Sequence, residues 1–306
     1  MVALPPGARP WDRGFRVEAA DGVGLRAALW QGGDRGLAVL LSGRTEFLEK
    51  MALPATALVE RGFSVASLDW RGQGLSDRLA EPAHMGHVAR FSDYGLDLAA
   101  LLAAPGVADL GEVRLMFAHS MGGAIGLAAI YRGVISPGAV ALSAPMLGVQ
   151  MSGSMKVAAA VTTGIARVLG RLDRRPPLGD ADKPYVFEGF EGNVLTSDRE
   201  MFAWLESVVR AEPRLQIAMP SLRWFDEAET EMGWLGRQGS LSMPVLWLKG
   251  SEEAVVDREA IAEAATRLGG ELVEIAAARH EFFIERPELR DAAWQAVDTF
   301  LANHRL

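Results

Sequence analysis

The sequence predicts an α/β fold with a mostly parallel central sheet, helices on both faces, and a helical insertion before the penultimate strand. Three observations carry that expectation. Apolar runs at residues 37–41, 63–68, 113–117, 139–143, 245–248 and 272–275 alternate with helical patterns across short loops, the arrangement that builds parallel crossovers. Several of these runs are continuous rather than alternating, as strands covered on both faces require. Between residues 147 and 242 the alternation stops, and the chain becomes helix-rich and carries Trp204, Trp224 and Trp234. The expected organisation is therefore a core of residues 1–146 and 243–306 around a helical cap, 147–242, over the carboxyl ends of the strands, where ligands bind in such sheets.

Each element has a local reason. Asp21-Gly22 is a strong turn pair that joins residues 15–20 and 23–30 as an edge hairpin. The run 37–41 enters Ser42-Gly43-Arg44-Thr45-Glu46, and a helix over 46–61 is stopped by Gly62. The run 63–68 leads into the glycine-rich Asp69-Trp70-Arg71-Gly72-Gln73-Gly74-Leu75-Ser76. That stretch lacks the Gly-Lys-Ser/Thr ending of a Walker phosphate loop. Residues 79–91 form a loop with His84 and His87, and 93–103 a helix with Leu96, Leu98, Leu101 and Leu102. After the insertion come a helix over 257–268, the strand 272–275, and a closing amphipathic helix over 287–304.

Composition narrows the class. The 306 residues suffice for a sizeable core, and a formal charge of −8 argues against nucleic acid, because phosphate binding needs a basic surface. With no cysteine, disulfides, thiol nucleophiles and thiolate metal sites are excluded. Residues 1–10 hold no apolar leader core and no later run is long enough to span a bilayer, so a cytoplasmic location is expected.

The chemistry concentrates in Phe117-Ala118-His119-Ser120-Met121-Gly122-Gly123. A serine between a buried strand and a helix, with small residues two before and two after, fits the nucleophile elbow GxSxG, Ala118 standing for the first glycine. The helix that follows directs free N–H groups and its positive end at any anion forming beside the serine, so the Met121 N–H is a natural oxyanion donor. A serine nucleophile needs a base. Of five histidines, His119 should point to the opposite face, His84 and His87 lie early, and His304 ends the chain. His280, in the loop after the last strand, is the candidate. The base needs a carboxylate, and the loop after 245–248 offers Glu252, Glu253 and Asp257. Asp257 opens a helix, where aspartate is a preferred cap, and Glu252 reads as a solvated neighbour, which favours Glu253 and keeps Asp257 as its alternative. The second oxyanion donor should come from the loop after the third strand, with the Arg44 N–H as candidate.

These residues resemble the bacterial lysophospholipases of the monoacylglycerol lipase-like branch of the α/β-hydrolases, through nearly the whole chain. Beyond the elbow the likeness includes the stretch from Asp69 to Ser76, His84-Met85-Gly86-His87-Val88, Asp93-Tyr94, Ala144-Pro145-Met146 and the stretch from Glu252 to Asp257. The resemblance implies the α/β-hydrolase fold, nucleophile, acid and base on Ser120, Glu253 and His280, oxyanion donors at Arg44 and Met121, and ester hydrolysis of an acylglycerol or lysophospholipid. Two departures stand out: Ser42-Gly43 where the wider superfamily commonly has His-Gly, and glutamate rather than aspartate at position 253.

No metal or organic cofactor is expected, and the His84/His87 pair lacks an accompanying carboxylate pattern. In the cap, Val157, Val161, Ile165, Val168, Leu169 and Leu172 share one helical face, with Lys156, Arg167, Arg171 and Arg174 opposite. Two arrangements fit this pattern: an ordinary amphipathic cap helix with a solvated charged face, which the pattern favours, and a helix whose apolar face lines an acyl pocket while its basic stripe rests on anionic headgroups at the inner face of the membrane. The same scaffold also serves amide hydrolases such as prolyl aminopeptidases, for which Glu188, Glu191 or Asp198 would anchor a substrate amine. It serves acyltransferases, and receptors that bind a small molecule with little turnover. Oligomeric state is not encoded in these patterns.

Overall fold

The computed structural model describes residues 2–176 and 182–306; residues 177–181 of the 147–242 stretch lie outside the described residues. Its strands are β1 (Arg13–Glu18), β2 (Gly24–Trp30), β3 (Leu37–Leu41), β4 (Ser64–Leu68), β5 (Val113–His119), β6 (Ala139–Ser143), β7 (Val245–Gly250) and β8 (Glu271–Ile275). They form one sheet in the order β1-β2-β4-β3-β5-β6-β7-β8. Strand β2 is antiparallel to both neighbours and every other pairing is parallel. This is the α/β-hydrolase fold. The apolar runs that predict β3, β4 and β6 are buried along their whole length, because helices cover both faces.

The helices are α1 (Leu48–Glu60), α2 (Tyr94–Ala103), α3 (Met121–Tyr131), α4 (Gly153–Val168), α5 (Arg199–Ala211), α6 (Leu222–Leu235), α7 (Arg258–Leu268) and α8 (Pro287–Asn303). Helix α3 is apolar all round and is buried from Met121 to Ala129, as a helix enclosed by other elements must be. It packs against β5, β3, α2 and α6. Among the described residues no helix is long and apolar enough to cross a membrane.

Helices α4, α5 and α6 lie between β6 and β7. Helix α5 directs Met201, Phe202, Leu205, Val208 and Val209 onto Phe47 and Ile284 of the layer beneath. The His84-to-Val88 stretch anchors the approach to α6. The Ala218 N–H donates to the His84 carbonyl and the Ser221 N–H to that of Gly86, both at 2.8 Å, and His87 Nδ1 lies 2.8 Å from Ser221 Oγ.

Helix α4 overturns an expectation. Its apolar face does not line an acyl pocket: Met155, Val157, Val161, Ile165 and Leu169 are more than half exposed, and Val168 is 87% exposed. Two of the basic residues reach acidic partners while their own side chains stay more than half exposed. Arg167 pairs with Asp226 of α6, and Lys156 Nζ lies 3.9 Å from Asp257. The side of α4 toward α6 carries Ala159, Ala160, Thr163 and Gly164, which line an open groove with Phe225 and Met232. Small residues and two ion pairs thus decide the orientation, and periodicity alone cannot. Leu172, beyond the end of the helix, is buried with Ala166 and Leu222.

Candidate active site

The site grows out of the β5–α3 turn. Ser120 sits at φ 51°, ψ −119°, a strained conformation for a residue with a Cβ. The turn holds it because the Ser120 N–H donates to Ser143 O, while its carbonyl accepts from the Gly123 and Met146 N–H groups, all at 2.9 Å. Close approach explains the small residues: a Cβ on Gly122 would collide with the Leu41 and Ser42 carbonyl oxygens, and one on Gly123 would lie 2.7 Å from Pro145 Cβ. Ala118 is fully buried in the strand.

Ser120 Oγ lies 3.0 Å from His280 Nε2, and His280 Nδ1 lies 2.7 Å from Glu253 Oε2. The three side chains come from the β5–α3 turn, the loop after β8 and the loop after β7. All three are buried. Glu253 Oε1 accepts the Val255 and Val256 N–H groups at 2.6 and 3.1 Å. Burial pushes the Glu253 carboxyl up, but the hydrogen bond and charge of His280 and these two amides outweigh it and hold it below the ordinary carboxylate range. Asp257 caps α7, accepting the Glu259 and Ala260 N–H groups at 3.0 and 3.2 Å. Glu252 is exposed, 3.8 Å from Arg279.

The loop after β3 closes over the elbow. A Cβ on Gly43 would lie 3.0 Å from Ser120 Cβ. Its neighbours pin it: Gln73 Nε2 donates to Gly43 O at 2.8 Å, Trp70 Nε1 to Ser42 O at 2.9 Å, and the Gly43 N–H to Glu46 Oε2. The Thr45 N–H reaches Gln73 Oε1 at 3.3 Å. Between these committed amides, the Arg44 N–H makes no hydrogen bond among the described residues. The Met121 N–H opens α3 and has no acceptor within its own helix. The stretch from Asp69 to Ser76, unassigned by sequence reasoning, is thus a frame for this loop.

His119 departs from strand alternation. It does not point away from the site: its ring centroid lies 4.8 Å from that of His280, and it lines the same pocket. The strained turn at Ser120 breaks the period-2 rule one residue on. His119 Nδ1 is 3.1 Å from Ser143 O and Oγ, and Nε2 is 3.3 Å from Glu281 Oε2. Glu281 in turn meets Lys50 Nζ at 2.6 Å, and Lys50 meets Glu46 Oε1 at 2.8 Å. A buried charged chain therefore joins the loop after β3, α1, the elbow and the loop after β8. Burial raises the Glu281 pKa, yet Lys50 and His119 outweigh it and hold the carboxyl well below its usual range. Burial lowers that of His119, but Glu281 and Glu46 leave it net raised. Sequence reasoning missed this chain. The available signal was the four-residue spacing of Glu46 and Lys50 beside the loop after β3, together with Glu281 next to His280.

His119, His280 and Glu281 bring ligand atoms within 4.8 Å of one another, but the Lys50 ammonium already meets Glu281 and His280 is committed to Ser120 and Glu253. His84 Nε2 faces Asp182 at 2.7 Å, and His304 Nε2 faces Glu271 at 3.2 Å. Above Ser120 opens a pocket of about 470 Å³ with Met146, Val149, Val194, Leu195, Trp224 and Phe225 in its walls and Glu188 and Glu191 also along it.

The model of the serine aminopeptidase S33 family matches residues 32–287. The chain belongs to this family. Within it the chain is 31% identical over 282 residues to lysophospholipase L2 of Escherichia coli K12, covering 87% of this chain and 80% of that protein. A soluble variant of monoglyceride lipase from Saccharomyces cerevisiae shares the fold at a TM-score of 0.77 and 17% identity over 99% of both chains. A monoacylglycerol lipase from Paleococcus ferrophilus shares it at 0.64 and 22%, over 92% of this chain and 99% of that one. This S33-family member is a serine hydrolase, an esterase with the α/β-hydrolase fold.

Proposed function

We propose that the protein hydrolyses the acyl ester of a lysophospholipid or monoacylglycerol through a Ser120-His280-Glu253 triad. The observation that carries the reading is the unbroken contact from Glu253 through His280 to Ser120, 2.7 and 3.0 Å long, on the floor of a pocket with mainly apolar walls. With its Nδ1 proton donated to Glu253, His280 offers Nε2 as the base for Ser120. The hydroxyl oxygen attacks the ester carbonyl, the Arg44 and Met121 N–H groups receive the oxyanion, and His280 returns the proton to the departing alcohol. Water activated by the same histidine then releases the fatty acid. The first half gives an acyl-enzyme and an alcohol; the second regenerates the serine.

Residues 147–242 act in this reading as a cap over the core formed by 1–146 and 243–306, bounding the acyl pocket with Val149, Val194, Leu195, Trp224 and Phe225. The outward apolar face of α4 would rest on the lipid surface that supplies substrate, which reverses the orientation expected from sequence. An amide substrate is less well served. Asp198 is spent capping α5, and Glu191 is paired with Arg199, which leaves Glu188 as the remaining anchor for an amine.

Release of free fatty acid from lysophosphatidylcholine, monoacylglycerol and a short p-nitrophenyl ester, compared between wild type and Ser120→Ala, tests the reading. Serine-dependent turnover that favours the long-chain lipids is expected; activity confined to the short ester would overturn the substrate assignment. Cosedimentation with liposomes should fall when Val161 and Ile165 are replaced by serine, and unchanged binding would remove the surface role of α4.

A further inference from the structure

Arg44 carries a feature that its backbone role does not use. Its guanidinium is packed between the Gly86 backbone, the Ala218 carbonyl and the Trp224 ring, with Cζ 5.4 Å from the ring centroid. Nη2 donates to Ala218 O, Nε is buried without a hydrogen-bond partner, and no carboxylate pairs with the group among the described residues. Burial pushes its pKa down to about 10, and only the Tyr94 and Tyr185 hydroxyls oppose that. A guanidinium removed from water without an anion is costly. Arg44 and the Trp224 ring it packs on both line the pocket above Ser120.

We propose that the Arg44 side chain is a subsite for the phosphate of a lysophospholipid headgroup. The inference rests on the ester-hydrolase reading above and selects within it the phosphodiester over the neutral glyceride. Reach supports it. The bonds from the Arg44 amide nitrogen to its guanidinium carbon are as many as those from an ester carbonyl carbon, through glycerol, to the phosphorus. A carbonyl held at the Arg44 N–H therefore sets the phosphate within reach of the guanidinium of the same residue. The planar fork suits phosphate oxygens. Glu188, exposed on the same pocket, suits the cationic end of a zwitterionic headgroup.

The experiment compares kcat/KM for palmitoyl lysophosphatidylcholine and monopalmitoylglycerol, in the same neutral detergent micelles, for wild type, Arg44→Gln and Arg44→Lys. The ratio of lysophospholipid to glyceride activity should fall roughly 10- to 100-fold in Arg44→Gln, the span of one charged hydrogen bond, mainly through KM. Arg44→Lys should lie between. An unchanged ratio, with both activities falling together, would overturn the subsite and leave Arg44 a part of the loop alone. A second measurement uses only wild type: sn-glycerol 3-phosphate, inorganic phosphate and glycerol as inhibitors of p-nitrophenyl butyrate hydrolysis. Competitive inhibition by glycerol 3-phosphate and not by glycerol is expected, with inorganic phosphate weaker because it lacks the glycerol arm. No inhibition by either phosphate would overturn the proposal even if the variants fail to fold. Should wild type turn over the short ester through Ser120 and neither lipid, the lipid reading fails, and the inhibition assay still decides the anion site.

Discussion

Replacing Lys50 by methionine tests the buried charged chain behind the site. Lys50 is 3% exposed and its ammonium meets Glu46 at 2.8 Å and Glu281 at 2.6 Å, both carboxylates also buried. Removing the cation leaves two buried acids with weaker partners, the Gly43 N–H for Glu46 and His119 for Glu281. Breaking a buried pair from one side costs about 3–5 kcal/mol, which for a chain of this size is a fall in Tm on the order of 10 °C. Activity should fall as well, because Glu46 holds the Gly43 N–H and Glu281 holds His119 against His280. A displacement of the loop after β3 by about 1 Å, if it supplies the proposed oxyanion donor, is enough for roughly a hundredfold. The assay is urea unfolding and ester hydrolysis for Lys50→Met, Glu281→Gln and the double variant. Neutralising Glu281 in the Lys50→Met background should recover part of the lost stability, a coupling of about 0.5–3 kcal/mol. The pH dependence has a fixed sign. The Glu281 pKa is depressed in the folded protein, so its stabilising contribution is present above the unfolded carboxyl value, about 4.3, and is lost as pH falls through the folded value. The destabilisation by Lys50→Met should therefore be largest near neutrality and shrink in acid. A loss below about 1 kcal/mol with no recovery in the double variant would refute the reasoning.

Three further outcomes follow from the geometry. Glu253→Gln should lower kcat about ten-thousandfold, whereas Asp257→Ala should cost about 1 kcal/mol of stability through the lost α7 cap with kcat within a few-fold; the reverse pattern in steady-state kinetics would move the acid to Asp257. Gly122→Ala should destabilise by about 1–3 kcal/mol, read from the urea midpoint, because its methyl meets the Leu41 and Ser42 carbonyls. His119 has a raised pKa in the folded state, so its contribution is complete below about pH 6.5 and lost as pH rises through the folded value. The stability gap between wild type and His119→Asn should accordingly narrow across the alkaline range, and a gap that widens would contradict the charged pairing with Glu281.

How much was legible follows from which signals are local. The strands β3 and β6 coincide with the runs 37–41 and 139–143, because a continuous apolar stretch bounded by loop residues has few other ways to be buried. Strand β5 runs two residues past its apolar run, to His119, because that polar end still pairs with Ser143 across the sheet. Ser120 and His280 stood out because their chemistry depends on residue type and chain order. The orientation of α4 did not, since periodicity defines two faces and leaves open which one meets the protein; Asp226, distant in sequence, decides it for Arg167. The Lys50–Glu281 pair was hidden for the same reason. Its partners are 231 positions apart, and an isolated Glu46 and Lys50 read as an ordinary solvated helix pair.

The proposed mechanism turns on Ser120 as the nucleophile. Reaction of the native enzyme with a fluorophosphonate ester, followed by peptide mass spectrometry, tests it most directly. One phosphonyl adduct is expected, on Ser120, formed with loss of ester hydrolysis and abolished by Ser120→Ala. Full inactivation with the adduct on another residue, or hydrolysis that survives complete labelling of Ser120, would contradict it.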